Sequence, residues 1–227
     1  MKTRIEGACS AVIFDLDGTL YDSRFLPLAL GFSSLFDFRR LAAVNAARKT
    51  KAGLDFGSRD SLIDAMILDA SLRLPGEDPE ALRAWYEETL YGRFVELLRR
   101  FFSPRRCIVR FLLERKTAGC YLPPLGVLSD YGHVDDRLHA IGLNPFDFDI
   151  RVSSEDEGAL KPSPRPFLEA ARRLGADPGR VLVVGDTRPT DGAGALAAGM
   201  EYLHLPQDLP ADFCERLNRR IRAARAC

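Results

Sequence analysis

The chain has 227 residues, 46% hydrophobic and 28% charged, with 32 Lys and Arg against 32 Asp and Glu and a formal net charge of zero. That length buries a full core and leaves room for a main domain plus a smaller insertion. The even charge gives no support to nucleic acid or a membrane surface as the main partner. Five cysteines, Cys9, Cys107, Cys120, Cys214 and Cys227, are odd in number and include no Cys-x-x-Cys pair, the pattern of reduced thiols in a cytoplasmic protein. Met1 to Glu6 lacks the apolar core of a signal peptide, and no run approaches a membrane span, so a cytoplasmic location is expected.

Ala11 to Phe14 is a short apolar run with the β-branched pair Val12 and Ile13, and reads as a strand buried on both faces. Asp15 ends it, and Asp17 points the same way if extended geometry persists for two more residues. Two carboxylates on one face repel unless a cation or proton separates them. Gly18 breaks the strand and lets the backbone approach a ligand closely, and Thr19 can cap the next element. A strand ending in an Asx-type turn accounts for the same residues.

The pattern then turns helical as far as residue 102. Pro27 to Lys49 carries Leu28, Leu35, Phe36, Leu41 and Val44; Ser58 to Leu74 carries Leu62, Ile63, Met66, Ile67 and Leu72; Asp78 to Phe102 carries Leu82, Trp85, Leu90, Phe94, Leu97 and Leu98. Each spacing predicts an amphipathic helix, with breaks at Lys51 to Gly57 and at Pro75 to Pro79. Phe25, Phe32 and Phe36 are expected to pack among these helices, the alternative being that they line a pocket. Ser103-Pro104 reads as the N-cap and first position of a further helix ending near Gly119.

Strands then alternate with helices: strand Leu125 to Leu128, helix Asp135 to Ile141, strand Asp149 to Val152, helix Ser163 to Leu174 with Pro164 and Pro166 in its first turn. Strand Arg180 to Val184, an Ala- and Gly-rich helix Asp191 to Gly199, and strand Glu201 to Leu205 complete the series. Such alternation predicts a Rossmann-like, doubly wound parallel α/β sheet. Near the end, Phe213, Leu217, Ile221 and Ala224 recur at helical spacing among the arginines of Arg216 to Arg225. They suggest a helix docking a narrow apolar stripe, or a site for an anionic partner.

In a doubly wound sheet the ligand sits at the carboxyl ends of the strands. Asp15, Asp17, Ser129, Lys161, Asp186 and Asp191 all fall at or just after such ends. Singly, each has an ordinary reading: Ser129 as a turn residue, Lys161 as solvated charge, Asp186 as a turn former after Gly185, Asp191 as a helix cap. Together they assemble acids, a cation and a hydroxyl at one edge.

At this point the chain resembles the haloacid dehalogenase-like superfamily, in its phosphatase branch with a helical cap inserted after the first motif. Asp15-Leu16-Asp17-Gly18-Thr19-Leu20 matches the first motif and Leu128-Ser129-Asp130 the second. Gly158-Ala159-Leu160-Lys161-Pro162-Ser163-Pro164 matches the lysine motif, and Gly185-Asp186-Thr187 with Asp191 and Gly192-Ala193-Gly194-Ala195 the fourth. Asp130 stands where many relatives have Asn, and Arg188 lies between the paired acids of the fourth motif. The resemblance implies an α/β core of residues 1–20 and 103–227 with an all-helical cap of residues 21–102.

It implies further that Asp15 is a nucleophile forming an aspartyl-phosphate. Asp17 is then the acid and base serving the leaving alcohol and the hydrolytic water, with a pKa nearer neutrality than a free Asp. Mg²⁺ would be held by Asp15, the Asp17 carbonyl and Asp186, with Asp191 in support. Ser129, Lys161, Asp130 through its backbone, and the loop at Gly18 would grip the phosphoryl group. Counted with a phosphate dianion, the carboxylates outweigh Lys161, so the site cannot attract its substrate without the metal.

The expected function is a Mg²⁺-dependent phosphomonoesterase for a small phosphorylated metabolite, as monomer or homodimer. A phosphomutase keeps every residue named here, and a non-catalytic phosphate-binding regulator keeps the fold. A dehalogenase on this fold typically lacks the acid at position 17. Specificity is expected from the cap, where the basic turn of Arg48, Lys49 and Lys51 is placed to reach the cleft or to end a helix in solvated charge. His133 either lines the entrance or lies on the surface.

Overall fold

The computed structural model describes residues 9–34, 36–117, 123–206, 215–217 and 220. The N-terminal hexapeptide, Leu35, Gly119, Cys120, Phe213, Cys214, Ile221, Ala224 and Cys227 therefore lie outside the described residues. Strands β1 (Ala11–Phe14), β2 (Leu125–Ser129), β3 (Ile150–Ser153), β4 (Val181–Gly185) and β5 (Glu201–His204) form one parallel sheet in the order β3-β2-β1-β4-β5. Helices flank both faces, as expected of a doubly wound sheet. Val12 and Phe14 of β1 share one core with Ile108, Phe111 and Leu112 of α6 (Arg106–Thr117) and Val134 and Leu138 of α7 (Val134–Ala140). Ala11 and Ile13 point the other way, into a core with Phe167, Ala170 and Ala171 of α8 (Arg165–Arg173) and Ala195 of α9 (Ala193–Ala197). Side-chain alternation along the strand makes one four-residue segment the centre of both layers, and each large side chain buried there contributes about 1.5–3 kcal/mol.

Register aligns the strand ends. Phe14 lies beside Val127 on one side and Val184 on the other, so Asp15, Ser129 and Asp186 emerge at the same edge of the sheet. Lys161 comes from the loop after β3.

The helical region comprises α1 (Leu26–Ser33), α2 (Phe38–Lys51), α3 (Arg59–Leu72), α4 (Pro79–Ala84) and α5 (Tyr91–Phe101), with α4 and α5 joined without a break by a π-helical stretch, Trp85–Leu90. Ser58 caps α3 by accepting the Ser61 N–H, and Asp78 caps α4 by accepting the Glu80 and Ala81 N–H groups. Val44 and Ala47 of α2 and Leu62, Ile63, Met66 and Ala70 of α3 are buried in the same core as Phe94 and Leu98 of α5.

Several boundaries differ from expectation. The helix predicted over 27–49 is two helices, because the chain turns at Ser34, whose backbone N–H closes on Leu30 and Gly31 and whose carbonyl accepts the Asp37 N–H. Phe25, Phe32 and Phe36 do not pack the cap; they are 68%, 66% and 102% exposed. The segment is apolar all round, and only the Leu26 side of α1 is buried. Leu28 and Leu72 are exposed for the same reason of facing outward. Ser103-Pro104 does not open a helix: Pro104 bridges Tyr21, the Arg105 N–H donates to Leu20 O, and α6 begins at Arg106. The chain leaving β1 and the chain returning from the helices are thus paired side by side. Asp191 lies within a π-helical turn, Arg188–Gly192, rather than at the start of α9, and Pro164 precedes α8 while Pro166 sits in its first turn.

Of the four apolar positions in the C-terminal pattern only Leu217 is described, and it is buried. Cys9 and Cys107 are free thiols. Among the described residues no helix is long and apolar enough to cross a membrane.

The loop between α2 and α3 docks on the lysine-bearing loop of the sheet. Gly53 N–H donates to Leu160 O, Phe56 N–H to Gly158 O, and Asp55 bridges Ala159. Arg165 reaches back to Asp55 and to Gly57 O.

Candidate active site

Asp15 leaves β1 with its N–H donating to Val184 O at 2.9 Å, which anchors it to the sheet. The chain then makes a single helical turn, Leu20 N–H to Leu16 O, and carries Asp17 over the strand end. Lys161 Nζ donates to Asp15 Oδ1 at 2.7 Å, Asp191 Oδ1 at 2.7 Å and Leu128 O at 2.8 Å. Its own backbone N–H donates to Asp130 Oδ1 at 3.0 Å. The ammonium is buried, yet the two carboxylates hold it well above the ordinary lysine range against the cost of that burial.

Asp15, Asp186 and Asp191 present carboxylate oxygens that all lie within 4.8 Å of one another. Burial, and then the charge of Asp191, push the Asp15 carboxyl well above its ordinary value, with Lys161 opposing them. Burial also raises Asp186. Among the described residues nothing hydrogen-bonds Asp15 Oδ2, which is buried. An all-oxygen cluster with crowded like charges and an orphaned carboxylate oxygen fits a hard divalent cation such as Mg²⁺. Gly18, at φ +88°, makes room for that cluster: a Cβ there would stand 2.1 Å from Asp186 Oδ2.

The Asp17 carboxylate belongs to a different group. Its Oδ1 accepts from the Tyr21 hydroxyl, and its Oδ2 accepts from Arg137 Nη2 and, at 3.3 Å, from Ser129 Oγ. Burial pushes the carboxyl up, but the Arg137 guanidinium, the Tyr21 hydroxyl and Lys161 together outweigh it, and Asp17 sits below its ordinary value. This corrects the expectation of a pKa nearer neutrality; the cause is a buried arginine that donates directly to the carboxylate. Tyr21 stays protonated, its own ionisation pushed up by burial and by Asp17.

Arg137 and Tyr21 are the residues that sequence reasoning missed. Arg137 is 0% exposed. A signal was present, since Val134, Leu138 and Ile141 mark the buried stripe of its helix and Arg137 stands within it at i+3 from Val134.

The remaining candidates fall around this centre. Ser129 Oγ accepts from Arg137 Nη1 at 2.8 Å and from the Tyr131 N–H at 3.2 Å. Asp130 engages the lysine loop with its carboxylate, and its carbonyl accepts from Arg48. Arg48 is buried, with its guanidinium 4.0 Å from the Tyr131 ring centroid; it reaches the loop beyond Ser129 rather than the carboxylates of Asp15 and Asp17. Lys49 is exposed, and Lys51 pairs with Asp69 of α3 at 2.9 Å, so neither is brought to the site. His133 is exposed, its ring tilted 38° to that of Tyr91 with centroids 4.6 Å apart, and Arg188 is exposed.

Two carboxylates two residues apart thus have opposite surroundings. Asp15 is set among acids with one lysine, an arrangement for a metal and a nucleophile; Asp17 is set against an arginine and a hydroxyl, an arrangement for moving a proton at a fixed place. Four carboxylates, Asp15, Asp17, Asp186 and Asp191, face two cations, Lys161 and Arg137, and a dication would balance them.

Residues 9–199 match a family model described as haloacid dehalogenase-like hydrolase. A glyceraldehyde 3-phosphate phosphatase from Methanothermobacter thermautotrophicus is 30% identical over 88% of this chain and 86% of its own length. One from Methanopyrus kandleri is 28% identical over 84% and 81%. Among solved structures, a 2-haloacid dehalogenase from Pseudomonas syringae pv. Tomato DC3000 superposes with a TM-score of 0.60 at 24% identity, covering 94% of this chain and 98% of that one. That likeness speaks for the fold alone, since one fold hosts several chemistries.

Proposed function

The chain belongs to the haloacid dehalogenase-like hydrolases, and from that premise we propose that it is a Mg²⁺-dependent phosphomonoesterase using Asp15 as nucleophile and Asp17 as acid and base. The observation that carries this reading is the divided environment of the two carboxylates, Asp15 on Lys161 and beside Asp186 and Asp191, Asp17 on Arg137 and Ser129. A dehalogenase has no use for a proton donor at position 17. The core is residues 1–20 and 103–227, and residues 21–102 are the cap.

In the first step an Asp15 carboxylate oxygen attacks phosphorus, the bond from phosphorus to the ester oxygen breaks, and the Asp17 carboxyl gives its proton to the departing alkoxide. Asp17 is ionised at rest; the incoming dianion adds negative charge beside it and favours the protonated form. In the second step Asp17 takes a proton from water, whose oxygen attacks phosphorus. The acyl phosphate bond to Asp15 breaks, inorganic phosphate leaves, and the Asp15 carboxylate is restored. Lys161 holds Asp15 in place and offsets charge on the phosphoryl oxygens, and the Ser129 hydroxyl binds one of them. Asp15, Asp186 and the Asp17 carbonyl, with Asp191 in support, would hold Mg²⁺, which supplies Lewis-acid charge to the phosphoryl group when bound.

The docking of the cap loop on the lysine-bearing loop, through Gly53 N–H to Leu160 O and Phe56 N–H to Gly158 O, favours a small ester. Glyceraldehyde 3-phosphate, the substrate named for two relatives, is the first to assay beside an aryl phosphate. Release of inorganic phosphate, dependent on Mg²⁺, is the expected result. Transfer of the phosphoryl group to a second hydroxyl of a sugar phosphate without release would identify a mutase instead, and no turnover of any ester would leave a binding protein.

A further inference from the structure

Arg137 has no place in the steps above, yet it is bonded to two of the groups that perform them. Its Nη2 donates to Asp17 Oδ2. Its Nη1 donates to Ser129 Oγ at 2.8 Å, to Tyr131 O at 3.0 Å and to Gly132 O at 3.4 Å. The guanidinium carbon lies 4.6 Å from the ring centroid of Phe94 on α5 and 5.7 Å from that of Tyr131. Its side chain is wholly buried, and among the described residues Nε has no hydrogen-bond partner.

We propose that Arg137 is a positioning residue for proton transfer, holding the Asp17 carboxylate and the Ser129 hydroxyl in one fixed arrangement through a single planar fork. The proposal rests on the reading of Asp17 as acid and base and deepens it.

Burying a guanidinium is costly unless its protons are satisfied and its charge is paired, and an aliphatic residue of similar volume would fill the same space without that cost. The loop carbonyls of Tyr131 and Gly132 need donors, but neutral ones suffice; among the described residues the charge itself is paired with Asp17. Moreover, Tyr21 takes Oδ1 while Arg137 takes Oδ2, so the carboxylate cannot rotate about its Cβ–Cγ bond without breaking a hydrogen bond at each end. A proton donor pinned in this way stays aligned with a leaving oxygen, and misplacement of such a group by about 1 Å costs on the order of 100-fold. The fork is also rigid. Lysine presents a point charge and cannot span Asp17 and Ser129 in one plane. Phe94 comes from the cap, so the face of the guanidinium is closed only when α5 is seated on the site.

The test is the dependence of rate on the leaving group, which a merely structural arginine does not alter. Aryl phosphates leave with little help from an acid, whereas alkyl phosphates need the proton. In the whole chain with Mg²⁺, Arg137→Met is expected to lower kcat on an alkyl phosphate by about 100-fold or more while lowering it on an aryl phosphate far less. Competitive inhibition by inorganic phosphate and the thermal midpoint report whether the site and fold persist. Arg137→Lys, which keeps the charge, is expected to show the same selective loss. In an Asp17→Asn background, Arg137→Met should add no further selectivity, because the proton it positions is gone. Equal losses on both esters, or full rescue by lysine, would overturn the positioning role. A wild-type protein inert toward both esters overturns the phosphatase reading, and this proposal with it.

Discussion

Arg48 Nη1 of α2 donates to Glu155 Oε2 at 2.7 Å, and the Glu155 side chain has no exposed surface. The same carboxylate accepts from the hydroxyls of Tyr86 and Tyr91, so a single acid of the core ties down three cap residues. Arg48 in turn stands over the Tyr131 ring and donates to Asp130 O, next to Ser129. This is the buried polar seam along which the helices meet the sheet edge. Removing one partner strands a charge, so Glu155→Ala is expected to destabilise by about 3–5 kcal/mol, whereas Arg48→Met with Glu155→Leu should recover much of that loss. Urea or thermal unfolding measures it. Equal destabilisation of Glu155→Ala and the double variant would show that the tyrosines, and not the ion pair, hold the seam.

Asp15→Asn removes the proposed nucleophile and leaves Lys161 its bonds to Asp191 and Leu128 O, so the fold should survive. Turnover of an aryl phosphate should fall by roughly 10⁴-fold or more. Chelation of the wild type should abolish turnover, and added Mg²⁺ should restore it. Substantial hydrolysis by the Asn variant would take Asp15 out of the nucleophile's role.

The upward push on Asp15 sets a pH dependence. A carboxyl held above its ordinary value of 3.8 binds its proton more tightly in the folded chain than in the unfolded one. Its contribution to the stability of the metal-free protein therefore falls as pH rises from that ordinary value through the raised one. Mg²⁺ held at the same oxygens would compete with the proton and reverse the penalty. The rise in thermal midpoint on adding Mg²⁺ should accordingly grow with pH and lose most of its pH dependence in Asp15→Asn. A rise that is flat across pH in the wild type would place the metal elsewhere.

Gly158 marks where the cap loop lands. Its φ is +70°, and a Cβ would stand 2.3 Å from the carbonyl of Ser58. Gly158→Ala should cost more than about 1 kcal/mol from backbone strain alone, and it should raise KM, because the loop can no longer close on the lysine-bearing segment. Unfolding and steady-state kinetics check the two effects separately, and unchanged KM would mean that the loop plays no part in seating the ester.

Much of this architecture is legible in the sequence, because local pattern carries it. A four-residue apolar run with an acid after it predicts a buried strand and a polar strand end. Alternating strands and helices predict a doubly wound sheet, and such a sheet delivers Asp15, Ser129, Lys161 and Asp186 to one edge whatever the details of packing. Periodicity likewise places helices over the cap but cannot say which face is covered, and so Phe36 is exposed where it was expected to pack.

Which distant residue each charge meets is a matter of the folded chain. Arg137 lies 120 positions from Asp17, and Glu155 lies 107 from Arg48. Along the sequence Arg48 reads as a helix end or a cleft residue, and the place of Arg137 in an apolar stripe does not say which acid it meets. A pairing at that range depends on strand register, on the seat of α7 against the sheet and on the docking of α2 and α5, none of which is written in the spacing around either residue. Local pattern was enough to stand two aspartates at a strand end. Folding then pressed one of them among acids and gave the other to an arginine, because desolvation and partner charge act through space and not along the backbone.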